Sequence, residues 1–356
     1  MLRTAIFFSF CLWAASLTNA AEWTMQLDLH GRSLEGKAIW WNDSKVYFLE
    51  RNGRLWDFGI REPKNFRKTS SAFRGHSMSE MRGQLMREFG NHFEVSGTRH
   101  YLVVHPAGQR DLWAQRFEDL YRSFVHYFSV RGFRPRDPQF PLVAVVFHRQ
   151  SDYLKYSAQN GNRVSANMLG YYSLVSNRVI LYDRSTGQAS QSNWEKNAAV
   201  IIHEATHQTG FNTGVHNRFT PQPRWLVEGV GMMFEARGVW DSHRYSSRSD
   251  RIHQGRLRQF KAFAGSRRRK DSIANLVSSD RQFKIDGAGA YSESWALSFY
   301  LAETQPRKYF QYLAKIAARP YFTEYRAPDR LRDFTNAFGG NLVMLDAQLL
   351  RFIGSL

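Results

Sequence analysis

The feature that most constrains this chain is a five-residue stretch, HEATH, at residues 203–207. Its two histidines, His203 and His207, are four positions apart, and residues four apart on an α-helix lie on one face. Both imidazoles could therefore hold one zinc ion from a single rigid element. Glu204 lies about 100° further round such a helix, so we expect it beside the ion as a general base for an attacking water. The pattern predicts a zinc-dependent hydrolase of the metallopeptidase type.

The residues around this pentad predict the helix that the chemistry needs. Ser192 and Glu195 have the spacing of a capping box, and Gly210 offers a stop. Between them the apolar residues recur at helical spacing: Trp194, Ala198, Ile201, Ile202 and Ala205. A helix over this stretch presents both histidines on one side.

A catalytic zinc site usually has three protein ligands and leaves a fourth position for water. The best candidate for the third ligand is Glu228, in a second amphipathic segment, PRWLVEGVGMMFEA, at residues 223–236. Apolar residues surround it there, and a buried carboxylate is usually paired or bound to metal. The alternative is an ordinary solvated acid. We predict that Glu228 is the ligand, because it completes the chemistry that the two histidines require.

Together the two segments resemble the gluzincin pattern, in which a glutamate from a second helix supplies the third zinc ligand. More closely, the chain resembles a bacterial family of domains of unknown function related to the peptidase MA clan. The resemblance covers roughly residues 80–310. Its matching stretches are FEVSGTRHYLVV (93–104), RFEDLY (116–121), PLVAVVF (141–147), LGYY (169–172), the pentad, WLVEG (225–229) and YSESWAL (291–297). It implies peptidase-like chemistry by relationship and does not specify a substrate.

The remaining patterns predict an α+β fold, with a small sheet beside the zinc helix and a helical C-terminal part. Aromatic residues at spacings of three and four predict a helix over residues 113–128. A continuous apolar run predicts a buried strand at 141–147, and residues 169–173 and 178–182 predict a hairpin. An extended substrate could pair along the edge strand of such a sheet.

The N-terminal part has a different pattern, an apolar and polar alternation with turn signals that predicts a meander of short strands. The stretch from Leu34 to Trp56 resembles a small SH3-like barrel homology domain also found in endocytic adaptors. Such a barrel either binds an extended peptide or envelope component, or only packs on the enzyme. The predicted organisation is a signal peptide (1–20), an SH3-like β-barrel (21–65), a linker rich in Ser, Lys and Arg (66–80) and a gluzincin-like metallopeptidase domain (81–356).

The first residues have the composition of an export signal. Arg3 precedes an apolar stretch, Ala5 to Leu17, and the small residues TNA precede Ala21. We expect the mature chain to begin near Ala21 and to be periplasmic, in the cell envelope or extracellular. The alternative is an uncleaved anchor, but the apolar stretch is shorter than the roughly 20 residues that span a bilayer. The single cysteine, Cys11, lies in this segment, so the mature protein would have no disulfide and no thiolate ligand.

The chain is strongly basic, with 49 Lys and Arg against 31 Asp and Glu, a formal charge of +18. Such a protein is attracted to anionic surfaces. Basic residues are dense between Arg244 and Lys270. In an exported protein the partner would be anionic lipid, an envelope polymer or an acidic substrate, although a solvated loop explains the segment equally well. Nucleic acid is the generic alternative, but no nucleic-acid-binding motif accompanies the run.

The predicted reaction is amide hydrolysis, with Zn²⁺ held by His203, His207 and Glu228. A further donor is expected for the developing oxyanion, and Tyr291 is the candidate. Three other histidines are alternatives for this role: His216, His243 and His253.

A competing interpretation is a non-catalytic protein that binds the envelope or a polyanion and has a structural zinc. The presence of Glu204 disfavours it, because a structural site has no use for a base and fills its fourth position with another side chain. The substrate stays open among peptides, large proteins and cell-wall cross-links, because specificity depends on the shape of the cleft.

Overall fold

A computed structural model describes residues 21–108, 113–183 and 191–356, with side chains of 191–197 left out. These residues form an α+β fold: an N-terminal antiparallel sheet, a second mixed sheet and a largely helical C-terminal part. The predicted fold class is confirmed at this level. The predicted signal peptide, residues 1–20, and the side chains of the predicted capping pair Ser192 and Glu195 lie outside the described part.

The N-terminal sheet has the strand order β4-β3-β2-β1-β5, with antiparallel neighbours throughout. Alternate residues of β1, including Met25 and Leu27, are buried on one face, as the period of two along a strand requires. The turn between β1 and β2 places His30 and Gly31 at positive φ. The strands are β1 (Thr24–Leu29), β2 (Arg32–Trp41), β3 (Lys45–Glu50), β4 (Leu55–Gly59) and β5 (Lys64–Ser70).

Strand β5 changes the predicted domain boundaries. The segment predicted as a linker, 66–80, contains most of β5 and the first residues of helix α1 (Met78–Phe89). Every residue of β5 is exposed, so the strand lacks the apolar alternation by which strands are found in a sequence. Backbone pairing with β1 holds it in the sheet. The N-terminal sheet therefore extends to Ser70.

The N-terminal sheet packs against the rest of the protein. Tyr47 stacks on Phe322 with ring centroids 3.7 Å apart. The Leu55 amide donates to the Val175 carbonyl at 2.8 Å, and the Arg218 guanidinium donates to the Gly53 carbonyl at 3.0 Å. These contacts give the sheet a packing role.

The second sheet has the order β6-β7-β8-β10-β9, in which β7, β8 and β10 are parallel and both outer strands are antiparallel to their neighbours. Both faces are covered: Val103 of β7 belongs to the core under α2 and α4, and Leu102 to the core under α1 and α3. The predicted buried strand and hairpin are confirmed as β8, β9 and β10. The strands are β6 (Phe93–Gly97), β7 (Tyr101–Pro106), β8 (Leu142–Phe147), β9 (Gly170–Ser173) and β10 (Arg178–Tyr182).

Helices complete the fold. The predicted aromatic helix is confirmed as α2, and the pentad lies in α4. Besides α1, the helices are α2 (Ala114–Ser129), α3 (Gln150–Gln159), α4 (Gln191–Thr213), α5 (Arg224–Phe234), α6 (Arg237–Trp240), α7 (Gln254–Ser266), α8 (Ser272–Ser278), α9 (Gln282–Ile285), α10 (Gly287–Thr304), α11 (Pro306–Ala317), α12 (Ala327–Phe338) and α13 (Leu342–Gly354). Over the described residues, no helix has the length and hydropathy needed to cross a bilayer.

The predicted helix stop at Gly210 is wrong. Helix α4 continues to Thr213, and the next residue, Gly214, takes a positive φ of 86°, the usual conformation for a residue just past a helix end. Gly210 has a packing role instead. A Cβ at this position would lie 2.9 Å from Cδ2 of the buried His216.

The basic segment is not a solvated loop. It contains α7, and Arg268, within the run RRRK, has a side chain only 4% exposed. Its guanidinium pairs with the buried Glu293 and with Asp346. Part of the charge in this segment therefore stabilises the fold.

Candidate metal centre

The two histidines of the pentad lie one turn apart on α4. Their Nε2 atoms are 2.9 Å from each other, and the rings are nearly perpendicular. The side chains of His203 and His207 are 16% and 11% exposed. Helix α4 therefore places two imidazole nitrogens at one partly accessible point.

Helix α5 brings Glu228 to the same point. Its Oε2 lies 3.3 Å from Nε2 of His203 and 3.6 Å from Nε2 of His207. One ligand atom from each of the three residues lies within 4.8 Å of the other two. Two imidazole nitrogens and one carboxylate oxygen form a donor set that suits Zn²⁺. The structure thus brings the three predicted ligands together in a geometry that fits such an ion.

Two glycines in WLVEGVG allow this close approach of α5. A Cβ on Gly231 would lie 2.9 Å from Cε1 of His203 and 3.0 Å from Cε1 of His207. A Cβ on Gly229 would lie 2.0 Å from Oγ of Ser298 on α10. Helix α5 is therefore held between α4 and α10 at distances that only glycine permits at these two positions.

Glu204 is held beside the three ligands by the second sheet. Its Oε2 accepts a hydrogen bond of 2.7 Å from the backbone amide of Tyr172, on the edge strand β9. Burial raises the pKa of the Glu204 carboxyl, while the neighbouring His203 and His207 act in the opposite direction. A carboxyl with a raised pKa, next to but outside the ligand set, has the placement expected of a general base.

Glu235 also takes part in this site, a role that its sequence position alone did not predict. Nδ1 of His203 donates to its Oε1 at 2.8 Å, and Nε2 of His253 lies 2.7 Å from its Oε2. A carboxylate behind a metal-binding histidine fixes the ring and raises its basicity. The spacing of seven residues from Glu228, two helical turns, was the available signal. His253, an alternative oxyanion donor in the sequence analysis, is engaged in this pair.

The carboxylates set the electrostatics of the site. Burial alone would lower the pKa of His203, but hydrogen bonds to Glu228 and Glu235 raise it well above the usual value. Burial opposes ionisation of Glu228 as well, yet the two histidines hold its pKa well below the usual range. Glu235 behaves in the same way, and hydrogen bonds from His203 and His253 lower its pKa to about 2. Two ionised carboxylates, Glu228 and Glu235, therefore face the His203 ring from its two sides, and negative charge of this kind also favours a bound cation.

Tyr291, the predicted oxyanion donor, is joined to the site through an arginine. The Arg224 guanidinium donates to the Tyr291 hydroxyl at 2.7 Å and lies 3.4 Å from Oε1 of Glu228. Burial raises the pKa of the Tyr291 phenol. The hydroxyl keeps its own proton available for donation, because the bond from Arg224 uses only an acceptor lone pair.

The other two candidate histidines occupy different environments. His216 is 2% exposed, and within the described structure neither ring nitrogen has a hydrogen-bond partner. His243 stacks with His126, the ring centroids being 6.1 Å apart. Neither His216 nor His243 belongs to the cluster of three candidate ligands.

A family model matches part of the chain. The profile of DUF1570, described as a protein of unknown function, matches residues 197–323. This range contains the pentad, Glu228, Glu235 and Tyr291. No curated protein matches the chain. The family match agrees with the predicted resemblance to a domain of unknown function.

Proposed function

We propose that this protein is an exported zinc-dependent metallopeptidase that hydrolyses peptide bonds. The observation that carries the proposal is the convergence of His203, His207 and Glu228 beside a separate carboxylate, Glu204. Zn²⁺ held by these three residues would supply a Lewis acid that polarises a carbonyl and lowers the pKa of water. The gluzincin assignment belongs to this proposal, because the third ligand comes from a second helix.

Glu204 has the role of general base. It takes a proton from the attacking water and passes it to the leaving amine. Its hydrogen bond from Tyr172 leaves the other carboxylate oxygen for this proton, and burial raises its pKa towards the range in which a carboxyl can both accept and release one. Tyr291 donates to the oxyanion, with Arg224 holding its hydroxyl oxygen in place.

The proposed substrate is an extended peptide or protein segment. Tyr172 of β9 lies opposite Val179 of β10. The backbone amide of Tyr172 donates to Glu204 instead, so the edge of β9 that faces away from β10 adjoins the base. A peptide that pairs with this edge by main-chain hydrogen bonds would run past Glu204. The edge strand and the base thus form one binding surface.

A second candidate function is non-catalytic binding to the envelope or a polyanion, with a structural zinc. The basic composition favours it. The number of ligands favours the enzyme: in the described part of the chain three side chains form the cluster, whereas structural zinc sites have four. Export rests on the signal-like residues 1–20. The N-terminal sheet, proposed here to be an SH3-like barrel, serves the enzyme chiefly by packing on it.

The variant Glu204→Gln tests the enzyme proposal. Glutamine still accepts the Tyr172 amide, so the fold and the zinc content should be unchanged. Peptide hydrolysis, measured on a peptide library, should fall about 10²–10⁴-fold because the base is lost. Equal hydrolysis by the wild type and the variant would exclude Glu204 as the base, and no hydrolysis by either protein would favour the structural-zinc function.

A further inference from the structure

The N-terminal sheet contains a second site, which is apolar and therefore unlike the candidate metal centre. Its buried face lines a cavity of about 580 Å³, within the usual range of ligand sites, about 300–1,000 Å³. The buried part of the cavity wall is formed by apolar side chains: Met25, Leu27, Ala38, Phe48 and Phe58. Such a lining suits a hydrocarbon chain.

The mouth of this cavity is unusually apolar for a surface. Trp23, Ile60 and Phe66 line it and are 36%, 42% and 60% exposed. Contiguous exposed apolar groups mark contact sites for proteins, ligands or membranes. Tryptophan in particular is favoured at the interface between a bilayer and water. We call these three residues the apolar rim.

One cation lies directly at the apolar rim. Lys68 lies opposite Met25 in the β1–β5 pairing, and its Nζ is 5.6 Å from the Trp23 ring centroid. Residues 60–70 contain four basic side chains and one acid, Glu62, which pairs with His30. All four basic residues are exposed: Arg61, Lys64, Arg67 and Lys68. Arg67 donates to Gln26 and Lys64 lies opposite Asp28, so these two project from the other face of the sheet. One further acid, Glu22, lines the cavity. Lys68, and Arg61 next to the rim residue Ile60, therefore place positive charge where anionic headgroups would meet the apolar rim.

We propose that this face of the N-terminal sheet docks on an anionic lipid bilayer. The apolar rim enters the headgroup region, Arg61 and Lys68 contact the headgroups, and the cavity receives an acyl chain. This surface is separate from the 244–270 segment, in which Arg251 pairs with Glu303 and Arg268 with Glu293 and Asp346. The docking does not depend on the metal centre.

Co-sedimentation of the protein with vesicles tests this inference. We expect binding to phosphatidylcholine vesicles that contain phosphatidylglycerol, and much weaker binding to phosphatidylcholine alone. The pair Arg61→Ala and Lys68→Ala should lower the partition coefficient about thirtyfold, since each cation near an anionic surface contributes a factor of about five. Phe66→Ser should lower it at least about tenfold through lost apolar burial.

Matched controls remove the same groups elsewhere. The pair Arg258→Ala and Lys261→Ala removes two exposed cations of α7, and Met344→Ser removes an apolar side chain that is 55% exposed on α13. Both should bind vesicles like the wild type. Equal losses in the control and test variants would attribute binding to overall charge and overturn the inference. Binding of monomeric short-chain phosphatidylglycerol without binding to vesicles would overturn it too, and would make the cavity a site for a soluble lipid.

Discussion

Nδ1 of His203 lies 2.8 Å from Oε1 of Glu235, while Nε2 of the same ring faces Glu228. The ring is thus held between two carboxylates, one among the metal ligands and one behind them. Replacing Glu235 with alanine should weaken zinc affinity about 10–100-fold, because the imidazole loses its orientation and part of its basicity. Competition with a chelator of known affinity measures the effect.

Glu303 provides the control for this prediction. It is similarly shielded and pairs with Arg251 at 3.0 Å. Glu303→Ala should leave zinc affinity unchanged, although it removes an ion pair of comparable burial. An equal loss of affinity in both variants would mean that Glu235 acts only through general stability.

Gly231 should be intolerant of a methyl group. Gly231→Ala places a Cβ within about 3 Å of both histidine rings, so α4 and α5 must separate and zinc affinity should fall. Gly265, in α7, has no atom within 4 Å of the corresponding Cβ position. Gly265→Ala should raise the free energy of unfolding by about 0.5–1 kcal/mol and leave zinc binding intact. Zinc titration and urea unfolding of the two variants measure both effects.

Arg268 should contribute far more to stability than its neighbours in the run RRRK. Arg268→Ala leaves Glu293, which is fully buried, without its cation, and breaking a buried ion pair costs about 3–5 kcal/mol. Arg267→Ala, a change at an exposed position, should alter the free energy of unfolding by less than about 0.5 kcal/mol. Similar urea midpoints for the two variants would contradict the buried network.

His216 should make the protein sensitive to acid. Burial lowers its pKa to about 3, with a smaller contribution from His207, so between the ordinary histidine value of about 6.5 and pH 3 the unfolded chain binds more protons than the folded one. Stability is therefore present in full above pH 6.5 and is lost progressively as the pH falls. In His216→Phe this part of the loss should disappear. Thermal unfolding across this pH range measures the difference, and parallel curves for both proteins would contradict it.

The cluster of three candidate ligands could be predicted because its residues follow local spacing. Four residues separate His203 from His207, and a second amphipathic segment with one internal acid points to Glu228. The hairpin of β9 and β10 and the buried strand β8 were predictable for the same reason, since their apolar patterns are local. Tertiary contacts decide the rest. Glu235 becomes a partner of His203 only when α4 and α5 pack.

The errors have a common physical cause. Strand β5 is exposed along its whole length, so its residues resemble a linker, and pairing with β1 is what makes it a strand. Gly210 resembles a helix stop, but its missing side chain makes room for His216. Arg268 resembles a surface cation until Glu293 and Asp346 meet it from distant segments. In each case a long-range contact overrides the local pattern.

Elemental analysis of the purified protein and of its Glu228→Ala variant, after zinc addition and dialysis, tests the central claim most directly. The account predicts about one zinc per wild-type chain, as a single three-ligand site requires, and a sharply reduced content in the variant. A wild type without zinc, or equal zinc in both proteins, would contradict a site built from His203, His207 and Glu228.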